Sequence, residues 1–442
     1  MGLIIAAGNT KPAFPYDYYY GVRIKTTVAA TTLERIGRPE LHTSLPVQSK
    51  MRRCVLRDNG TVAYYLHATD STKRDTGAAA NLTGADGQVM VEIPKHYRKF
   101  EFDGTDLIAL ISEYPLPGFH EVPKMYRSAY EATVDRTVAA TPKLASVVNT
   151  TAAFRGGNNN ATYDGTYRSF LGLPATAISL TNFRNYARNR GEAGLNGKGW
   201  NCDLYAAQLA TYWLFVIEYA NLNCQADYNA QPDANGYKQG GLGAGVTTMT
   251  SANWNTYNGY YPVVPCGATN SLGNASGVVE KSIDNGAGIA YTFKVPSYRG
   301  IENPFGHIWS WTDGCKCEIQ SEEAGGLSKF YVCNDPAQFQ DSSYNGYDYR
   351  GDLPRKEGYV KRIMGGEFGD NMPVEVGGGS TTYFADYFYT NIPASGVAMR
   401  GVLFGGRAYN GASAGLSSAY THYAASYTDA YLGSRLCFIP AT

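Results

Sequence analysis

Residues 297–314 read SYRGIENPFGHIWSWTDG, and the two tryptophans in them, Trp309 and Trp311, stand two positions apart. Side chains at i and i+2 of a strand share a face, so both indoles point the same way and predict a half-buried strand. His307, just ahead of it, reads as a packing residue, and Glu302 and Asp313 on its flanks as groups that order turns and loops.

Helical period is clear only upstream. SLTNFRNYARNRGE, residues 179–192, predicts a helix capped by Ser179 or Thr181, with Phe183, Tyr186 and Ala187 on one face and a stop at Gly191. NCDLYAAQLATYWLFVIEYANLN, residues 201–223, repeats Tyr205, Leu209, Tyr212, Trp213, Val216 and Ala220 at three- and four-residue steps, with Asn201 or Asp203 as cap. Strand signals dominate elsewhere. MRRCVLRDNGTVAYYLH, residues 51–67, sets two strand-like runs about Asn59-Gly60 and predicts a hairpin. The tyrosine, threonine and valine of the first 50 residues suit a short β-rich segment, and the extreme N-terminus lacks the basic start of a signal peptide. GLGAG, residues 241–245, has no GK[ST] behind it and is not a phosphate loop.

Of the residues, 44% are hydrophobic and 13% aromatic, enough for a substantial core. Lys plus Arg and Asp plus Glu are both 38, so no bulk field draws nucleic acid or an anionic membrane, and no apolar run reaches the length of a bilayer span. The 50 glycines and 36 tyrosines point to many turns and to surfaces built from rigid amphipathic rings. Among the eight cysteines only Cys315 and Cys317 are closely spaced, so scattered buried thiols are expected, with a local metal or disulfide role for Cys315, Cys317 and Cys333 as the alternative.

Three short motifs, in this order, resemble the C-type lectin fold in its formylglycine-generating-enzyme-like branch. Asn303-Pro304-Phe305-Gly306-His307-Ile308-Trp309-Ser310-Trp311 stands for an N-x-W-E-W-like strand, Arg400-Gly401 with Gly405-Gly406 for a double-glycine strand, and Gly433-Ser434-Arg435-Leu436-Cys437 for a terminal G-F-R strand. The resemblance implies an α+β fold over 91–442, two helices packed on antiparallel strands with long loops, behind a β-rich attachment or oligomerisation region over 1–90. Within that branch the chain is similar to the variable receptor-binding proteins that diversity-generating retroelements mutate on the tails of phages of gut bacteria. Their variable residues lie between the double-glycine strand and the last strand, here 401–431.

That interval falls within GGRAYNGASAGLSSAYTHYAASYTDAYLGSRLCF, residues 405–438. Randomised adenines in asparagine codons never yield Lys, Glu, Gln, Met or Trp, and none of these occurs after Met399, although all occur before it. Tyrosine gives large contact area at small entropic cost, and Ser, Asn, Thr and Gly give adaptable hydrogen bonds, which is the chemistry of antibody loops. The expected ligand contacts are Arg407, Tyr409, Asn410, Ser413, Ser417, Tyr420, His422, Tyr423, Ser426 and Tyr427, on one exposed face above a buried Leu432–Phe438.

The resemblance thus implies a host-adhesion protein in the virion, at a tail fibre or its tip. Its implied partners are a bacterial cell-surface receptor, other tail proteins and two further copies in a homotrimer, with no nucleic acid and no membrane insertion. A bacterial surface adhesin of the same fold is the alternative, and a lectin-fold oxidase or hydrolase a more distant one. The oxidases need copper-binding cysteines just after the double glycine, and no cysteine stands between Cys333 and Cys437. No catalytic residue, cofactor or metal ligand is assigned. Calcium stays open through Gln231-Pro232-Asp233, although no W-N-D strand follows to complete a cluster of oxygens.

Overall fold

The computed structural model describes residues 15–191, 199–286 and 288–440. The N-terminal stretch read above for a signal peptide lies outside them. Trp309–Gln320 forms a strand of 12 residues. It pairs antiparallel with Ser328–Val332 and Val397–Gly405, and its start runs parallel to Leu432–Gly433. Trp309 and Trp311 do share a face, packed with Leu180, Phe183 and Leu403. The strand is not half-buried, however, because its opposite face is covered as well. A bulge between Thr312 and Cys317 turns the odd-numbered side chains over, so Cys315, Cys317 and Ile319 join the second core with Tyr205 and Leu209.

The α+β class does not hold. Among the described residues strands make up 37% and helices 14%, arranged in several sheets. Both helices read from the sequence exist, Leu180–Arg188 and Tyr205–Tyr219, but they are short beside the chain. Strands rich in Val and Tyr supply much of the remaining core. Ser179 caps the first helix, its hydroxyl accepting from the Asn182 N–H at 3.2 Å. That helix ends at Arg188, ahead of Gly191. The second helix is buried all round except at Ala206, as an apolar circumference requires. Its cap position is Leu204 rather than Asn201 or Asp203, because Asn201 belongs to the strand Trp200–Cys202 and the Asp203 carboxylate is bound elsewhere.

The hairpin about Asn59-Gly60 forms as read, with Arg52–Leu56 against Val62–His67. It belongs to a seven-stranded sheet in which the last strand of the chain, Leu436–Phe438, lies between Met125–Ser128 and Trp200–Cys202. The division expected at residue 90 falls inside the strand Gln88–Ile93, whose partners are Arg52–Leu56 and Met125–Ser128. Tyr20, Val55 and Val89 share one core cluster with Phe404 and Cys437, so the two sides of that division are packed together. All eight cysteines are buried and unpaired.

Asp203 ties these sheets together. Arg127 closes on its carboxylate through two hydrogen bonds of 2.9 and 2.7 Å, Ser310 Oγ donates to it at 3.1 Å, and its N–H donates to Ser434 Oγ. Replacing Asp203 with Ala leaves the Arg127 guanidinium buried without its counter-charge, and a loss of about 3–5 kcal/mol is expected in urea unfolding. A loss below about 1 kcal/mol would show that the pair is not a structural tie.

Candidate ligand-binding surface

The strand Val397–Gly405 ends at Gly405 and Gly406, with φ of +104° and +93°. A Cβ at Gly406 would lie 2.6 Å from that of Ala414, so the chain can turn back here only without a side chain. The turn is closed by Asn410, whose Oδ1 accepts from the Arg407 N–H at 2.9 Å. The chain returns as the strand Gly415–Thr421, antiparallel to Val397–Gly405 and parallel to Tyr387–Thr390. From Thr421 it crosses to the parallel pair at Leu432–Gly433 and then to the buried terminal strand.

Register decides which side chains meet. Ala419 faces Phe388 and Phe404, while Tyr420 faces Tyr389 and Leu403 on the other side. Ring centres run from Tyr359 to Tyr387 (4.9 Å), Tyr389 (4.4 Å) and Tyr420 (5.4 Å), with Trp309 5.4 Å from Tyr420 beneath. The series continues from Tyr420 to His422, stacked at 4.2 Å, and to Tyr423, which stacks on Tyr427 at 3.7 Å. Beside it, the Arg407 guanidinium lies 4.1 Å from the Tyr409 ring centre and 4.0 Å from that of Tyr431. Tyr409 and Tyr431 pack in turn on Trp254 and Tyr260.

Burial raises the phenols of Tyr420 and Tyr427, each further raised by its contact with Tyr423, so these hydroxyls stay protonated and able to donate. His422 Nε2 lies 2.8 Å from Glu357 Oε1, and Asn410 Nδ2 donates to the Tyr389 hydroxyl at 3.1 Å.

Of the expected contacts, Ser426 and Tyr427 are exposed, and Arg407, Tyr409, Asn410, Ser413, Tyr420, His422 and Tyr423 are half-buried. Ser417 is buried and does not belong to the surface. Its hydroxyl donates to the Asn371 carbonyl and its N–H to Asp386, in a part of the strand that is covered on both sides. Leu432–Phe438 is buried throughout. The single exposed face read for 407–427 is therefore narrower than expected, since Ala414–Ala419 is enclosed and Tyr420 and Tyr423 lean on the core. Sequence reasoning passed over Tyr359, Tyr387, Tyr389, Tyr431 and Glu357. The alternation of Tyr387-Phe388-Tyr389 was the available signal for two of these.

The other chemistries considered have different neighbours. Asp233 Oδ1 accepts from the Asn235 and Tyr237 N–H groups of its own turn, and Asp203 is held by Arg127, so these oxygens do not converge. Among the described residues no three His, Cys, Asp or Glu side chains group as a metal site. Burial pushes the Cys437 thiol up, away from thiolate chemistry. His307 is enclosed, its Nδ1–H donating to Glu131 at 2.5 Å and its Nε2 accepting from the N–H groups of Val263 and Val264. Asp313 is bound by Arg184, and Glu302 accepts from Gly267 and Thr269.

No known family model matches the chain, and no curated protein matches it. The solved structures similar to it at a distance include three that follow. PvdO from Pseudomonas aeruginosa aligns over 82% of this chain and 100% of its own, at 12% identity and a TM-score of 0.34. Treponema denticola variable protein 1 aligns over 82% of this chain and 99% of its own, at 11% identity and a TM-score of 0.31. A Major Tropism Determinant U1 variant aligns over 88% of this chain and 72% of its own, at 12% identity and a TM-score of 0.24.

Under the surface lies Asp386, buried and accepting from the Ser417 N–H and the Ser418 hydroxyl. A Cβ at Gly415 would come within 2.0 Å of its Oδ1. Burial pushes its carboxyl from 3.8 up to about 7. The folded value exceeds the unfolded one, so this group's stabilising contribution is complete below about 3.8 and lost as pH rises through 7. Buried His42 and His96, held down at about 4, act in the opposite sense as pH falls below 6.5. Asp386→Asn should therefore raise the melting temperature relative to wild type at pH 8 and lose that advantage by pH 5. A constant difference between the two pH values in thermal scans would contradict this assignment.

Proposed function

We propose that this chain is an adhesion protein that uses the aromatic surface between Tyr359 and Tyr431 to bind a receptor on a bacterial cell. The observation that carries the reading is the run of rings from Tyr359 through Tyr389 and Tyr420 to Tyr427, seated on the buried Trp309. Anchored rings present contact area that is already ordered, so binding immobilises few torsions. The side chains at the edge, Ser426 and Tyr427, come from a stretch whose residue types fit adenine randomisation. The motifs of the resemblance then suggest a phage tail fibre or tip, with several copies presented together so that weak sites gain avidity. Binding rather than turnover is the proposed activity.

The full chain, fluorescently labelled, can be titrated onto a panel of intact gut bacteria and read by flow cytometry. On cells that bind it, Tyr427→Ala and Ser426→Arg should each weaken adsorption by roughly tenfold or more, as for central aromatic contacts elsewhere. Tyr349→Ala, at an exposed ring on the strand Asp348–Asp352, should leave it unchanged. Equal effects at all three positions would remove the surface from consideration.

A further inference from the structure

The buried arginines Arg127 and Arg184, and the half-buried Arg299, each close on a carboxylate. Arg407 does not. Its guanidinium carbon lies 4.1 and 4.0 Å from the ring centres of Tyr409 and Tyr431, its Nε is enclosed without a hydrogen-bond partner, and its side chain makes no ion pair or hydrogen bond among the described residues. Aromatic rings stabilise a guanidinium but supply no counter-charge, and with Nε enclosed its two Nη groups are the donors left for a ligand. The Nη pair of a guanidinium is a fork that takes a carboxylate through two parallel hydrogen bonds.

The neighbouring groups narrow the ligand. Asp429 lies next to this arginine's ring pair, its Oδ2 accepting from Tyr427 at 3.1 Å, and Glu357 stands at the other end of the surface on His422. Two carboxylates on the flanks disfavour a segment dense in acidic side chains, while they accept hydrogen bonds from hydroxyls. The phenols and Asn410 add further donors and acceptors, and the exposed Tyr427 offers a ring to the apolar face of a sugar. We propose that the surface takes a carboxylate-bearing sugar, with its single carboxylate on the Arg407 fork and its hydroxyls on the flanking acids. This rests on the adhesion reading and specifies its ligand class.

The test uses the full chain on an array of glucuronate- and sialate-terminated glycans, their methyl esters, the neutral parent glycans and glutamate-rich peptides. Acidic glycans should bind, and esterification should weaken binding roughly ten- to a hundredfold, the range for losing a charged hydrogen-bonded pair. Arg407→Gln should do the same, while Arg407→Lys, which keeps charge but not the fork, should fall between. Esterified ligand needs no variant, so misfolding cannot mimic the result. Equal binding of acid and ester, preference for the peptides, or no binding to any acidic glycan overturns the proposal. If Ser426→Arg still abolishes adsorption to cells in any of those cases, the adhesion reading stands and only the acidic-sugar assignment falls.

Discussion

Arg127 and Asp203 meet where almost no water reaches, and the positions of three chain segments follow from that contact. Arg127 belongs to Met125–Ser128, Asp203 to the start of the buried helix, and the Ser310 hydroxyl to the strand that carries the two tryptophans. The terminal strand joins the same knot through Ser434 and through Cys437, whose Sγ lies 3.6 Å from Asp203 Oδ1. A buried ion pair adds little net stability against a well-packed apolar alternative. It penalises every arrangement that separates the partners, so it acts here as a register lock for strands far apart in sequence.

The lock has a direct consequence for the aromatic surface. Residues 406–431 leave a strand fixed in the nine-stranded sheet and return to one fixed beside Trp309, so both ends of the segment are clamped. Arg435 adds to the clamp at the far end, its guanidinium donating to the carbonyls of Ser128, Glu302 and Asn303. Between the clamps the rings rest on one another and on Trp309, with Tyr420 and Tyr423 half-buried and Tyr427 exposed. A segment held this way can exchange its exposed side chains while its backbone stays in place, because the apolar contacts that hold it lie at other positions.

Much of the site was legible from composition and order. The double glycine, the small polar residues after it and the apolar tail Leu432–Phe438 mark a surface segment between two buried ones, and most of the side chains read as contacts do reach the surface. Ser417 shows the limit. It resembles Ser413 and Ser426 in type, yet it lies where the strand is covered on both sides, so it is buried together with Leu416 and Ser418. Tyr387 and Tyr389 show the converse, since they join the surface only through a parallel pairing with Gly415–Thr421.

Local pattern alone determined the hairpin at Asn59-Gly60, the two helices and the shared face of Trp309 and Trp311, because each depends on residues within a few positions of one another. The mainly β class, the terminal strand inserted between residues 125–128 and 200–202, and the ring pair around Arg407 were decided by tertiary structure. Tyr409 apart, their partners lie tens to hundreds of residues away. Periodicity reports which face of an element is apolar, but the element that covers that face is chosen by packing and by buried charges such as Asp203, which act only once the chain has closed on itself.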